Sequence, residues 1–195
     1  MRKIGNDIYR MRTEGHGAKF NTVRMTKIAL MTAIICVVSP WVIVLPFSPV
    51  PVSFSLFAVL LAAYVLGAKD GMICCGLYLV LGGIGLPVFS GGVGGPGKLF
   101  GPTGGYLAGY LLTAVITGGV VSRFKGKRTL HLLGMILGVC GCYVLGTLWL
   151  CFSTDVEATE GLMLGVVPYI PADIVKIILV YVLGHDLEKR LRKGL

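Results

Sequence analysis

Residues 85–106 read GLPVFSGGVGGPGKLFGPTGGY. This stretch carries one charge, Lys98, and lies between long apolar runs. In water, a glycine-rich segment behaves as a flexible linker. Between membrane spans it reads differently. Irregular backbone at membrane depth persists only when it is buried in protein or lines a cavity, because lipid satisfies no N–H or C=O group. Glycine gives such a loop its positive-φ turns and close approaches. The expectation is a loop folded against the interior of a membrane domain.

The surrounding composition agrees. The chain has 195 residues, 55% of them hydrophobic and 14% charged, with a mean hydropathy of +0.83. A soluble domain carries about 25% charge. Six apolar segments stand out: Lys27–Phe47, Val52–Ala68, Met72–Leu86, Gly104–Ser122, Leu130–Phe152 and Gly161–Gly184. A membrane-crossing helix needs about 20 residues, so the third segment is short unless it runs on into Pro87–Phe89. The fold expected is an all-α integral membrane domain of six transmembrane helices over residues 25–195. The glycine-rich loop then joins helices three and four. A basic segment, residues 1–24, precedes the domain without a signal-peptide pattern.

The net charge of +9 raises the possibility of a nucleic-acid partner, but its distribution argues against one. Basic residues sit near the N-terminus (Arg2 to Lys27), at Lys69, at Arg123, Lys125, Lys127 and Arg128, and at Lys189 to Lys193. In a six-span topology these fall on one side, which the positive-inside rule makes the cytoplasm. The other side has Lys98 with Asp155, Glu157 and Glu160. Both termini are therefore expected in the cytoplasm and the glycine-rich loop outside.

Few residues offer chemistry. Asp173 and Lys176 form the one ionisable pair inside an apolar segment. Such residues are costly in a membrane and face a cavity or each other. At i and i+3 they share a helical face, which suits either a structural ion pair or a binding site. Pro171 suits a first helical turn, putting Asp173 near a helix N-terminus. From Pro171 to Gly184 is 14 residues, about 21 Å of helix against a hydrocarbon core of about 30 Å. A recess on the outer side follows, facing the loop. Thr103 and Tyr106 add hydroxyl groups, and Tyr106 also suits a belt position at the membrane interface. Trp41, Trp149, Tyr143 and Tyr169 read as core or belt residues.

Other patterns lead nowhere. Gly92–Lys98 imitates the start of a Walker A motif, but Leu99 stands where Ser or Thr would bind Mg²⁺. Lys98 reads as a solvated loop charge. Six cysteines lie in apolar segments without metal-ligand spacing. No hydrolase or metalloprotease motif occurs, so neither enzyme activity nor a cofactor is expected. Small residues four apart at Gly105/Gly109 and Gly134/Gly138 read as helix-packing faces within the chain, and Ala29/Ala33 as a similar face on the first helix.

The runs Gly85-Leu-Pro-Val-Phe-Ser-Gly-Gly and Gly101-Pro-Thr-Gly-Gly-Tyr resemble the signature of BioY, the biotin-binding S components of energy-coupling-factor (ECF) transporters. The resemblance extends to the six spans, Pro46–Pro51 and Pro171-Ala-Asp-Ile-Val-Lys176. It implies an S-component fold in a prokaryotic plasma membrane that takes biotin from outside. It also implies as partners a transmembrane coupling protein and two cytoplasmic ATPases, with Ala29 and Ala33 meeting the coupling protein. Biotin offers two ureido N–H donors, a carbonyl, an apolar thiophane and a carboxylate. Asp173 is expected to accept from the ureido group. Lys176 either pairs with the ligand carboxylate or orients Asp173. The loop backbone at Gly91, Gly94 and Gly104, with Thr103, is expected to add polar contacts, and Phe89 and Tyr106 apolar walls. An S component for another vitamin, a self-contained channel and a membrane enzyme remain as alternatives.

Overall fold

The computed structural model describes residues 22–43, 46 and 50–193, excepting the side chains of 188–193. The expected basic segment falls, up to residue 21, outside the described residues. The fold is almost wholly helical. Helix α1 spans Thr22–Val38. A two-residue antiparallel ribbon follows, β1 (Val42–Ile43) against β2 (Val52–Ser53), pairing Val42 with Ser53 and Ile43 with Val52. Then come α2 (Ser55–Gly83), the short α3 (Pro96–Leu99), α4 (Gly104–Arg123), α5 (Arg128–Thr154) and α6 (Ala158–Gly165). A 3-10 turn at Val167–Tyr169 leads into α7 (Ile170–Lys193).

Among the described residues, four helices are long and apolar enough to cross a membrane: Ser55–Gly83, Gly104–Arg123, Arg128–Thr154 and the run Ala158–Leu187. The first expected span, Lys27–Phe47, stops being helical at Val38. Pro40 is the cause: it disfavours the helical region for Ser39 and has no N–H to donate. Chain beyond it pairs as β-ribbon instead. The sixth expected span, Gly161–Gly184, is likewise two helices, broken at Val166–Tyr169 around Pro168.

The second and third expected spans share one element, α2, with a single non-helical residue, Gly67 (φ 83°, ψ −177°). Positive φ is strained for any side chain with a Cβ, so glycine permits this turn. A Cβ built on Gly71 would lie 2.8 Å from the Cα of Ala63. Eight residues of straight helix separate such atoms by about 12 Å. The two parts of α2 therefore fold back on each other at Gly67. Arg24 of α1 fastens this corner, its Nε and Nη2 donating to Asp70 at 2.9 and 2.5 Å.

The core lies where α2, α4, α5 and α7 meet. Leu60, Tyr64, Ala114, Met135 and Val180 are buried there. Helices α4 and α5 pack through their small residues: a Cβ on Gly109 would lie 2.8 Å from Cys142 Sγ, and one on Gly134 2.7 Å from Val120 Cβ. Thr113 crosses this seam, donating to the Gly109 carbonyl at 3.0 Å and the Gly138 carbonyl at 2.9 Å. By contrast, Leu137, Val144, Leu148, Ile174, Ile178 and Val182 are exposed. Apolar side chains outside and small or hydroxyl-bearing residues between helices are what a lipid solvent favours.

The glycine-rich loop is tied back onto the helices. Phe89 N–H donates to Val93 at 2.9 Å, Gly91 N–H to Pro40 at 3.1 Å and Gly95 N–H to Gly82 at 2.7 Å. Phe89 is fully buried over Gly82, edge-on to Tyr78 with ring centres 5.3 Å apart. Trp149 Nε1 donates to the Gly101 carbonyl at 2.9 Å and pins the loop's far end to α5.

Candidate functional site

Helices α2, α4, α5, α6 and α7, with the segment before α2, line a cavity of about 50 Å³. Tyr106 and Tyr110 enter from α4, one turn apart. Cys142 and Tyr143 enter from α5. The turn and α7 supply Tyr169, Asp173 and Lys176, all on one helical face. Val50, Pro51, Ser53 and Leu56 close the remaining side, and Gly165 borders the floor. Small-ligand pockets usually measure about 300–1,000 Å³. The cavity, at about 50 Å³, is smaller than that.

Asp173 is the centre of the polar network. It lies in the first turn of α7, two residues after Pro171, where the helix dipole favours negative charge. Its Oδ1 accepts from Lys176 Nζ at 2.7 Å and its Oδ2 from the Tyr143 hydroxyl at 2.5 Å. Both members of the ion pair are 7% exposed at the side chain. A buried charge is tolerated when paired and hydrogen-bonded, and here both conditions hold. Each carboxylate oxygen keeps further acceptor capacity. The network thus offers a fixed negative acceptor and a cationic donor inside an otherwise mostly apolar pocket.

Tyr106 packs against α5 and α6 while lining the cavity. Its hydroxyl donates to the Gly165 carbonyl at 2.9 Å, and a Cβ on Gly146 would lie 2.2 Å from its ring. Tyr169 donates to the Val50 carbonyl and so joins the 3-10 turn to the segment before α2. Of the site residues expected from sequence, the structure brings Asp173, Lys176 and Tyr106 to the cavity. Thr103, Gly104, Phe89, Gly91 and Gly94 are not among its lining. Thr103 is buried at the start of α4, and Gly104 packs against the Leu99 carbonyl. Phe89, Gly91 and Gly94 shape the loop. Tyr110, Tyr143 and Tyr169 line the cavity although the sequence marked none of them for it. Tyrosine in an apolar helix looks the same whether it faces core, cavity or interface. Ala29 and Ala33 lie on the exposed side of α1, beside a groove with Leu77, Val80 and Leu81 of α2.

Fold and site together define a multi-pass helical membrane protein with a polar-anchored cavity buried among its helices. The chain is similar to known proteins along nearly its whole length. The BioY family matches residues 11–193. Biotin transporter BioY2 of Lactococcus lactis subsp. cremoris is 41% identical over 167 residues, covering 86% of this chain and 91% of the relative. Biotin transporter BioY of Thermotoga maritima is 35% identical, covering 85% and 96%. Among solved structures, the S-component for biotin from an ECF-type ABC transporter superposes with a TM-score of 0.81 at 31% identity, covering 92% of this chain and 95% of that one. The chain belongs to the BioY family, a family of membrane transporters rather than of enzymes.

Proposed function

We propose that this chain is the biotin-capturing S component of an ECF-type transporter. The observation that carries the reading is the buried Asp173–Lys176 pair facing a cavity in a chain that follows the biotin S component over 92% of its length. Asp173 accepts from the ureido N–H groups of biotin. Lys176 pairs with a ligand oxygen while holding Asp173. Tyr106, Tyr110 and Leu56 cover the apolar thiophane. Thr103, Gly104, Phe89, Gly91 and Gly94 shape the loop and helix start that bound the site.

The two parts of α2, with α1, α4, α5 and the run Ala158–Leu187, provide six membrane crossings. Arg24 meets Asp70 beside the Gly67 corner, Ser122 near the end of α4 lies against Gly67, and Arg128 meets His185. The α1 start, the corner, the α4–α5 connection and the end of α7 thus share one face. Their basic residues make it the cytoplasmic face, with both termini there and the glycine-rich loop outside, in a prokaryotic plasma membrane. The sequence has no complete nucleotide-binding motif. Accumulation of biotin against a gradient therefore needs partner ATPases, and likeness to the ECF family implies two of them, acting through a transmembrane coupling protein that docks on Ala29 and Ala33.

Calorimetry on the detergent-purified chain tests this reading. Biotin is expected to bind selectively, with riboflavin and thiamine inert. Folded, ligand-stripped protein that binds another vitamin, or none, would sink it. A second test uses Gly146→Ala. The added methyl would occupy the place of the Tyr106 ring, 2.2 Å away. The ring must turn, losing its bond to Gly165 and reshaping the cavity wall. Biotin affinity is expected to fall about 10-fold, the cost of roughly one hydrogen bond. Unchanged affinity would remove Tyr106 from the site.

A further inference from the structure

Asp173 lies on a boundary. It lines the central cavity and also a lateral apolar groove between α5 and α7, walled by Ile136, Val139, Ile170 and Ile174. Ile136, Ile170 and Ile174 are 41–52% exposed, so in a membrane this groove opens to lipid. A carboxylate turned toward hydrocarbon would recognise nothing and would be costly. Lys176 cannot by itself fix the orientation, because it extends from the same helix and can follow the carboxylate. The one hydrogen-bond donor to Asp173 from another helix, among the described residues, is the Tyr143 hydroxyl. Tyr143 also lines both spaces, so its ring stands in the same partition.

From this geometry we propose that Tyr143 is a positioning residue for ligand recognition. It pins Asp173 toward the cavity, keeps it from swinging to the lipid groove, and ties α5 to α7 at the depth of the ligand. The proposal rests on the assignment of Asp173 to biotin's ureido group. Tyr143 then acts through the carboxylate: by occupying Oδ2 it fixes the carboxylate plane and the directions left for the ligand's N–H donors.

Tyr143→Phe keeps the ring and deletes the donor. Biotin affinity, measured by calorimetry, is expected to fall about 10-fold or more, the size expected for a hydrogen bond to a charged group. Tyr143→Gln, which restores a donor, is expected to recover part of the loss. Infrared difference spectra supply a readout that a merely structural role would not move. The Asp173 carboxylate band, identified by its loss in Asp173→Asn, is expected to shift in Tyr143→Phe both without ligand and at saturating biotin. An unmoved band, or unchanged affinity, would overturn the proposal. Wild-type protein that binds no biotin would overturn the functional reading instead, and the ligand-free spectra would still report whether Tyr143 holds Asp173.

Discussion

Lys176→Met is expected to cost both binding and stability, and the two losses separate in a double variant. Removing the ammonium leaves the Asp173 carboxylate, 7% exposed, with the Tyr143 hydroxyl as its remaining donor among the described residues. An uncompensated buried charge costs about 3–5 kcal/mol. The thermal midpoint in detergent is expected to fall accordingly, and biotin affinity by about 100-fold, as a charge-assisted contact disappears. Asp173→Leu combined with Lys176→Met removes both charges and leaves apolar groups of similar bulk. Replacing a buried pair in this way is often neutral or stabilising. The double variant is therefore expected to regain the wild-type midpoint while binding no biotin. If it regained binding as well, the pair would be scaffold and not site. If Lys176→Met bound biotin normally, Lys176 would have no part in the recognition of biotin.

The second large effect concerns two adjacent glycines with opposite surroundings. A Cβ on Gly118 would lie 2.4 Å from the backbone nitrogen of Ala68 and 2.5 Å from the carbonyl carbon of Gly67. These atoms belong to the α2 corner and cannot rotate away as a flexible side chain would. Overpacking costs about 1–3 kcal/mol, occasionally more, and a clash with backbone belongs at the upper end. Gly118→Val is expected to lower the thermal midpoint sharply and to reduce the yield of folded protein. A Cβ on Gly119 meets nothing within 4 Å. Gly119→Val is expected to change stability by no more than about 0.5 kcal/mol. Paired thermal scans of the two variants decide the matter, and equal midpoints would refute the close approach of α4 to the Gly67 corner.

These sites also show how unevenly the molecule could be read in advance. Apolar runs and the placement of lysine and arginine marked a multi-pass membrane protein, because hydrophobic length is a property of the chain alone. Where runs end is less legible. Pro40 interrupts a segment whose composition remains apolar, so the expected first span ran through a helix break, whereas the start of a regular helix near Pro171 was legible from the prolines before it. Asp173 and Lys176 were legible because charge inside an apolar run is rare and costly wherever it points. Tyr143 was not, since an aromatic residue in such a run fits a core, a belt or a cavity equally well.

What composition and spacing dictated here was local: helical runs, their interruptions, and a carboxylate and an ammonium on one face of one helix. That follows from hydrophobic length and from the 3.6-residue helical period. Packing alone set them into a cavity. It brought Tyr106 and Tyr110 of α4 and Tyr143 of α5 against that face. It also folded the glycine-rich loop onto α2, so that Phe89 fills the space over Gly82. Distances between residues far apart in the chain depend on how closely glycine-lined helices approach. That approach is settled by all the contacts at once, not by any stretch of sequence read singly.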